Sequence, residues 1–155
     1  MEIIDYQAAH KEAFKQLDID WIERYFTVEP HDLEQLDDPE GYILSKGGKI
    51  FLARMFDENT EQIVGSCALI KTGEKSFEMA KMGVSPNVQG LGIGRKLGEH
   101  CIQKAKELGA NYLFLESNQK LTPALTLYKS LGFVEVPVGE TPFARADFKA
   151  EMYLN

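Results

Sequence analysis

Between residues 84 and 97 the chain reads VSPNVQGLGIGRKL, with a strand pattern before it and a helix pattern after it. Gly90, Gly92 and Gly94 carry no Cβ, so a ligand can approach the main chain of this turn closely. Unpaired N–H groups and the positive end of the dipole make a helix start favourable for an anion. The stretch therefore predicts a phosphate-binding loop, with Arg95 and Lys96 adding positive charge at its rim.

A plain packing turn is the alternative for these glycines. Gly94, Gly98, Cys101 and Ala105 form a stripe of small residues along the predicted helix. Such a stripe lets a neighbouring element approach closely without any ligand. Both interpretations stay open at the level of the loop.

The spacing of the loop separates three kinds of phosphate site. The dinucleotide pattern G-x-G-x-x-G fails because Leu97 stands where the third glycine belongs, and no Gly-Lys-Ser/Thr follows for a P-loop. The pattern Q/R-x-x-G-x-G/A does fit, as residues 89–94. It resembles the coenzyme A pyrophosphate loop of the GNAT superfamily of N-acetyltransferases. A second match, Ala124–Phe133 (ALTLYKSLGF), resembles the A-x-x-L-Y-x-x-L-G-F signature of the same superfamily.

The rest of the chain predicts one α/β (α+β) domain over residues 1–155. Close spacing with Gly, Asn and Asp between the runs predicts antiparallel hairpins among strands 50–56, 63–70 and 76–84. Helical periodicity follows over 93–108, where Gly109 is expected at the C-cap. Thr122 is expected to cap a helix that runs through Leu131 and that Gly132 ends. Further strands are expected at 2–6, 111–116, 133–136 and 146–154, a helix from Ala8, and a second short helix capped by Asp20.

These elements form a mixed, mostly antiparallel sheet of about seven strands with helices on its faces. The resemblance, which covers about residues 50–133, implies the GNAT fold, a twisted sheet flanked by helices on both faces. It also implies that the parallel central strands 76–84 and 111–116 splay apart to admit an acyl thioester. The first 45 residues resemble the family only loosely.

Composition narrows the class of protein. The chain has 155 residues, a net charge of −7, 44% hydrophobic and 26% charged residues. The chain has no cluster of Lys and Arg of the kind that nucleic-acid binders carry, so we expect no nucleic-acid partner. No apolar run reaches the length of a membrane span. Cys67 and Cys101 are too few for a disulfide framework, and the N-terminus lacks the pattern of a secretion signal, so we expect a cytoplasmic protein.

The resemblance implies acetyl-coenzyme A as co-substrate and a primary amine on a small molecule or peptide as acceptor. Main-chain groups near Met82 and Val84 would hold the pantetheine arm, and Asn118 would contact the cofactor or orient a water, although capping a loop is an equally common role for Asn. The loop residues expected to bind the cofactor are Gln89, Gly90, Leu91, Gly92, Ile93, Gly94 and Arg95.

Direct attack on a thioester requires a neutral amine. A lysine-like amine has a pKa near 10.4, so presenting it neutral at pH 7 costs about 4.6 kcal/mol, and a general base or proton relay matters. Glu78 is the candidate base, on the strand where the histone-acetylating branch of the superfamily carries its glutamate. Strand alternation places it on the same side as Met82 and Val84, unless a bulge intervenes. The alternatives are that Glu78 is a solvated or salt-bridged glutamate at a strand edge, and that Glu116 or a water chain is the base.

Tyr128 is the candidate general acid for the departing thiolate, because the family motif places a tyrosine there. A phenol with a pKa near 10 can donate a proton without being ionised at pH 7. The alternative is an amphipathic tyrosine on an apolar helix face.

Several features stay outside the site in this interpretation. His10, His31 and His100 have no mutual metal spacing, so we expect no metal. Trp21, Tyr25 and Phe26 favour the core, although the first helices of the family wall the acceptor pocket. The competing function is an acyl-CoA-binding sensor without catalysis, and a homodimer is possible by analogy alone.

Overall fold

A computed structural model describes all residues, 1–155, and shows a seven-stranded mixed sheet in the order β1-β2-β3-β4-β5-β7-β6. Only β4 and β5 run parallel, and every other neighbouring pair is antiparallel. The strands are β1 Glu2–Asp5, β2 Lys49–Asp57, β3 Thr60–Gly73, β4 Ser76–Val84, β5 Tyr112–Ser117, β6 Val134–Val136 and β7 Phe148–Tyr153. The predicted mixed sheet of about seven strands is thereby confirmed.

Four α-helices accompany the sheet, and the structure adds two single turns of 3-10 helix and one short π-helix. The α-helices are α1 Lys11–Tyr25, α2 Pro30–Asp37, α3 Ile93–Glu107 and α4 Thr122–Leu131. The shorter elements are Ala8–His10, Glu40–Leu44 and Pro86–Val88. None of the helices combines the length and the apolar character that a membrane crossing requires.

Two predicted helix starts are wrong. Asp20 does not cap a second helix but lies inside α1, where its carboxylate accepts a hydrogen bond of 2.7 Å from Gln16 one turn earlier. No Gly or Pro interrupts this stretch, so the helix continues through it. Thr122 is likewise the first residue of α4 rather than its cap, which is Leu121. The predicted ends hold, since Gly109 and Gly132 take the left-handed conformation with φ of +83° and +110°.

The helices cover both faces of the sheet and divide the core in two. One cluster packs the sheet against α3 and α4 and includes Leu97, Leu113 and Tyr128. The other packs the opposite face against α1 and α2, with Phe14 and Leu36 fully buried. We call these the α3/α4 face and the α1/α2 face. A side chain on the sheet therefore reaches one or the other depending on its place in the strand.

The parallel strands β4 and β5 pair over only three positions. Ser76, Phe77 and Glu78 lie opposite Tyr112, Leu113 and Phe114, and no pair follows beyond Glu78. From Met79 to Val84 the β5 side of β4 has no strand partner. Because unpaired main-chain groups inside a protein need other partners, this gap in the sheet is suited to a peptide-like ligand.

Candidate functional site

The glycine loop before α3 is open to solvent where its backbone is left-handed. Gly90 and Gly92 have φ of +84° and +80°. A Cβ built on either would meet no heavy atom within 4 Å, so packing does not require glycine at these positions. Their φ values do, because L side chains rarely adopt them. The free space beside them is the approach that a bulky anion needs.

Main-chain donors of this loop are free. None of the N–H groups from Gly90 to Arg95 has a main-chain or side-chain acceptor in the structure. The last three open α3, a 15-residue helix whose dipole places positive charge at this end. Consecutive free N–H groups at a helix start fit a phosphate or pyrophosphate, as the sequence predicts.

The packing interpretation applies to a different glycine. A Cβ on Gly98 would lie 2.7 Å from Cδ1 of Leu131, so this residue lets α3 approach α4 closely. At Gly94 the nearest atom, Cδ2 of Leu127, is 3.4 Å away, which is an ordinary contact. The small-residue stripe thus packs the helices at Gly98, while the loop at Gly90 and Gly92 remains open.

The other side chains of the loop take up different roles. Gln89 Nε2 donates to the carbonyl of Val84 at 3.5 Å, and Arg95 donates to Ser130 Oγ at 2.6 Å, joining α3 to α4. The Leu91 side chain is 62% exposed, whereas that of Ile93 is buried in the core. Leu91 and Ile93 can therefore serve an anion through their N–H groups and not through their side chains.

Two adjoining clefts run from the glycine loop to the gap between β4 and β5. The first, which we call the loop cleft, is lined by Trp21, Tyr25, Met82, Gly83, Val84, Val88, Gln89, Gly90, Gly92, Ile93, Gly94, Arg95, Lys120, Leu121, Pro123, Ala124, Leu127 and Tyr128. The second, the gap cleft, includes Glu78, Glu116, Asn118 and the aromatic side chains of Trp21, Phe26 and Phe143. Trp21, Met82, Leu121 and Tyr128 line both clefts, which makes them continuous.

A β-bulge in β4 decides which residues face which cleft. Ala80 lies opposite Ala68 on β3, but Gly83 lies opposite Ser66, so β4 holds one extra residue between these pairs. Lys81 within it has φ of +52°. A bulge shifts the alternation of the strand by one position.

Glu78 and Met82 consequently lie on opposite faces, and the expectation that Glu78, Met82 and Val84 share a side is wrong. Glu78 lies opposite Ile70, which packs on the α1/α2 face. Met82 and Val84 pack on the α3/α4 face and line the loop cleft. The bulge therefore presents Glu78 to the gap cleft and Val84 to the loop cleft, while Met82 lines both.

Glu78 is mostly surrounded by protein. Burial raises the pKa of its carboxyl to about 7, and the nearby Glu116 carboxylate adds to the rise, while Lys81 and Lys149 oppose it. Glu116 also lines the gap cleft, where it accepts a hydrogen bond of 2.9 Å from Thr141 Oγ1. A carboxylate with a pKa near 7 can accept a proton and release it again at neutral pH.

Tyr128 lies on α4 with its ring against Phe133 in the core, 6.3 Å between ring centroids. Burial raises the pKa of its hydroxyl above the usual value, so the group stays protonated at neutral pH. Its hydroxyl forms no hydrogen bond within the protein, unlike that of Tyr6 or Tyr42. A protonated donor without a partner, at the junction of two clefts, is available to a ligand.

The Asn118 amide is engaged at both ends. Its Nδ2 donates to the carbonyl of Arg145 at 2.8 Å, and its Oδ1 accepts from the N–H of Lys120 at 2.9 Å. These bonds brace the loop after β5 against the segment before β7. Asn118 lines the gap cleft rather than the loop cleft.

Beside the gap cleft lies an ionic cluster that the sequence does not predict. Asp32 on α2 is fully buried and accepts from Lys81 Nζ at 2.8 Å and from both terminal nitrogens of Arg145 at 2.6 and 2.8 Å. Arg145 also contacts Glu29 at 3.2 Å. The partners are far apart in sequence, and the acidic run 29–40 resembles a solvated loop, so no local signal indicates the cluster. Its effect is to hold α2 over the gap cleft.

Groups of three or more side chains suited to a metal ion do not occur. His10 accepts the N–H of Gln7 and contacts Glu61, and His31 contacts Glu34. His10 and His31 therefore serve local contacts, and His100 packs against the ring of Phe51, with 4.6 Å between the ring centroids.

Comparison with known proteins gives matches over most of the chain. Residues 12–133 match the model of the acetyltransferase (GNAT) family. The uncharacterized N-acetyltransferase YvbK of Bacillus subtilis (strain 168) is 31% identical over 108 residues, 68% of this chain and 67% of that one. The [ribosomal protein bS18]-alanine N-acetyltransferase of Escherichia coli (strain K12) is 35% identical over 66 residues, 43% of this chain and 45% of its own. Other curated relatives are matched over as little as 28% of their length.

Solved structures share the fold over almost the entire chain. An acetyltransferase of the GNAT family from Staphylococcus aureus MU50 superposes with a TM-score of 0.88 at 24% identity, covering 99% of both chains. The acetyltransferase yncA of Salmonella typhimurium, solved with its cofactor acetyl-CoA, superposes with a TM-score of 0.72 at 20% identity, covering 100% of this chain and 94% of that one.

Proposed function

The chain belongs to the acetyltransferase (GNAT) family, and on this premise we propose that it transfers the acetyl group of acetyl-CoA to a primary amine of a small molecule or peptide. The observation that carries the proposal is the continuity of the two clefts. Free N–H groups from Gly90 to Arg95 lie at one end, Glu78 lies at the other, and Tyr128 lies where the two clefts meet.

The residues fit the cofactor by their own chemistry. The N–H groups of the glycine loop would bind the pyrophosphate, and the unpaired edge of β4 around Met82 and Val84 would bind the pantetheine arm. Bound acetyl-CoA supplies an activated acetyl thioester. Arg95, held by Ser130, adds positive charge at the rim of the phosphate site.

Two side chains would then move the protons. Glu78, with a pKa of about 7, accepts the proton of the ammonium so that the neutral nitrogen can attack. Tyr128 Oη donates its proton to the sulfur that leaves, and regains one from solvent. The ammonium loses two protons in all: the first passes to Glu78 before the attack, and the second leaves the nitrogen for solvent as the new C–N bond forms. The C–S bond breaks, and the thiolate takes the proton of Tyr128, so one proton is released in each turnover once Glu78 has returned its own to solvent.

The acceptor side of the gap cleft suits an amine with an apolar body. Trp21, Phe26 and Phe143 supply aromatic walls, and the carboxyl groups of Glu78 and Glu116 attract a cation. The name of the Escherichia coli relative gives an alanine of ribosomal protein bS18 as the acceptor of that enzyme. A peptide with an N-terminal alanine and small arylalkylamines are therefore the first acceptors to compare.

Calorimetric titration with acetyl-CoA tests the cofactor. We expect micromolar binding by the wild type and at least a 100-fold loss in Gly92→Glu, which places a carboxylate among the phosphate-binding N–H groups. The matched control is Gly139→Glu, since Gly139 also has a positive φ, of +68°, with open space around it but lies outside both clefts.

Thiol release with a panel of amines tests the transfer. Binding of acetyl-CoA without turnover of any amine would favour a sensor of the same fold. Absence of binding by folded wild-type protein, or equal loss in both glycine variants, would overturn the proposal. The expected cytoplasmic location and the possible homodimer stay predictions.

A further inference from the structure

Lys81 holds a backbone conformation that its own side chain disfavours. Its φ of +52° is left-handed, and the other non-glycine residues with positive φ are Glu58 and Asn59 in the exposed turn between β2 and β3. A non-glycine residue stays in this region only when its surroundings impose it. In β4 the conformation creates the bulge that separates Glu78 from Met82.

The carbonyl of Lys81 is held from the α1/α2 face. Ser66 Oγ lies 2.7 Å from this carbonyl oxygen and 3.1 and 3.4 Å from the two carboxyl oxygens of Asp18 on α1. Ser66 is fully buried and Asp18 is 2% exposed. No other side chain forms a hydrogen bond with this Asp18 carboxyl.

Hydrogen counting decides the direction of these bonds. The Ser66 hydroxyl has one hydrogen, and the Lys81 carbonyl can only accept. If Ser66 donates to Lys81, its contact with Asp18 is a hydrogen bond only when Asp18 carries a proton and donates it. An ionised Asp18 would instead compete with the carbonyl for the hydrogen of Ser66.

The electrostatic surroundings favour the protonated form. Burial raises the pKa of Asp18 to about 8, and the Asp32 carboxylate on α2 adds to the rise. The Lys81 ammonium on β4 and the Ser66 hydroxyl on β3 oppose it. Three further polar side chains line the same cleft as Asp18: Gln35 on α2, Glu78 on β4 and Arg145 before β7.

The side chain of Lys81 is fixed independently. Its Nζ lies 2.8 Å from Asp32 Oδ1 and its side chain is 6% exposed. The residue is thus restrained at its ammonium by α2 and at its carbonyl by Ser66. Loss of the second restraint would free the peptide between Lys81 and Met82.

We propose that Asp18 is a positioning residue that, as a neutral acid, donates to Ser66, which in turn donates to the Lys81 carbonyl and holds the β4 bulge in its active geometry. The inference rests on the proposed function for its effect on rate. The bulge presents Glu78 to the gap cleft, Val84 to the loop cleft and Met82 to both, so a change at Lys81 misaligns both clefts.

Two substitutions at Asp18 distinguish the effect of its hydrogen-bond donor from the effect of its ability to ionise. Asp18→Asn keeps the size and an N–H donor for Ser66 but cannot ionise, so we expect kcat and KM within about threefold of wild type at pH 7. Asp18→Ala removes the donor and should lower kcat at least tenfold. Ser66→Ala should cause a similar loss, and the double variant no more than either single one, because both act through the same carbonyl.

The dependence of kcat on pH is a second test, because a merely structural role of Asp18 would not change it. Wild-type kcat should fall as pH rises past about 8, when Asp18 ionises, and Asp18→Asn should lack this fall. An unchanged alkaline limb in Asp18→Asn, or equal damage from Asn and Ala, would overturn the proposal.

Carbon-13 NMR titration measures the pKa of the Asp18 carboxyl directly and requires no catalytic turnover. The Asp18→Asn variant assigns the signal. A midpoint near 8 supports the inference even if no amine is acetylated, which would count against the proposed function alone. A midpoint near 4 would overturn the inference whatever the activity.

Discussion

Glu78 and Tyr128 lie on opposite faces of one sheet and nevertheless line the same gap cleft. Glu78 belongs to the α1/α2 face, and Tyr128 packs in the core of the α3/α4 face. They meet because β4 and β5 stop pairing after Glu78, so the sheet is open between them. The proposed base and the proposed acid can therefore approach a ligand in the gap from two sides.

Substitution of Glu78 tests the base. Glu78→Gln should lower kcat/KM by about 10²–10⁴-fold at neutral pH, the usual contribution of a general base. In wild type the rate should rise through pH 7, since the carboxylate forms there, and the variant should lack that step. Steady-state rates from pH 5.5 to 9 give the comparison. A variant that keeps the step would assign it to another group, with Glu116→Gln as the next candidate.

Substitution of Tyr128 tests the acid. Tyr128→Phe should lower kcat about 10²-fold or more, while the dissociation constant of acetyl-CoA stays unchanged. The folded state should lose little stability, because the hydroxyl has no partner in the protein. Calorimetry, thiol release and urea unfolding measure the three quantities. Full activity of the variant would leave Tyr128 as a packing residue.

Asp32 should matter more for stability than any exposed acid of α2. Asp32→Ala leaves the ammonium of Lys81 without its partner in a buried position, and breaking a buried pair in this way costs about 3–5 kcal/mol. The matched control is Asp37→Ala on the same helix, whose carboxylate contacts Lys15 at the surface and whose loss should change little. Urea unfolding of both variants measures the difference.

Stability should fall as pH rises from about 5 to 8.5. Glu78 and Asp18 have folded-state pKa values of about 7 and about 8, well above those of an unfolded chain. Within this window the folded state binds protons that the unfolded state has lost, so the free energy of unfolding decreases with pH. Asp32 has a lowered pKa, and its contribution is lost only on acidification below this window.

Thermal unfolding at pH 5.5 and 8.5 checks this dependence. The melting temperature of wild type should be several degrees lower at pH 8.5, and the Glu78→Gln and Asp18→Asn variants should each reduce the difference. A melting temperature that rises across the window in wild type would contradict both pKa shifts.

Local patterns were sufficient to predict most of the fold. The glycine loop, the helix after it and the signature containing Tyr128 all lie within short stretches whose spacing has a direct physical meaning. Gly109 and Gly132 end their helices as expected, because both have a left-handed φ and glycine adopts such a φ at low cost. The false helix start at Asp20 arose from a capping residue type that occurs equally well inside a helix.

The arrangement of the gap cleft could not be read in the same way. The bulge at Lys81 depends on Ser66, Asp18 and Asp32, which come from β3, α1 and α2. No residue near Lys81 in the sequence predicts its left-handed backbone. Strand alternation therefore predicts, wrongly, that Glu78 and Met82 lie on the same side of β4. Contacts between residues more than 100 positions apart, such as Asp32 with Arg145, leave no periodic trace in one sequence.

The three-position seam between β4 and β5 has a consequence for the stability of the folded chain. Apart from that seam, β1 to β4 and β5 to β7 share no strand pairing, and a ligand in the gap would bind both sides of it. Binding to the folded state alone at 100 times the dissociation constant adds about 2.7 kcal/mol to stability. On the proposed function, the chain with acetyl-CoA bound should therefore resist proteolysis better than the chain without it.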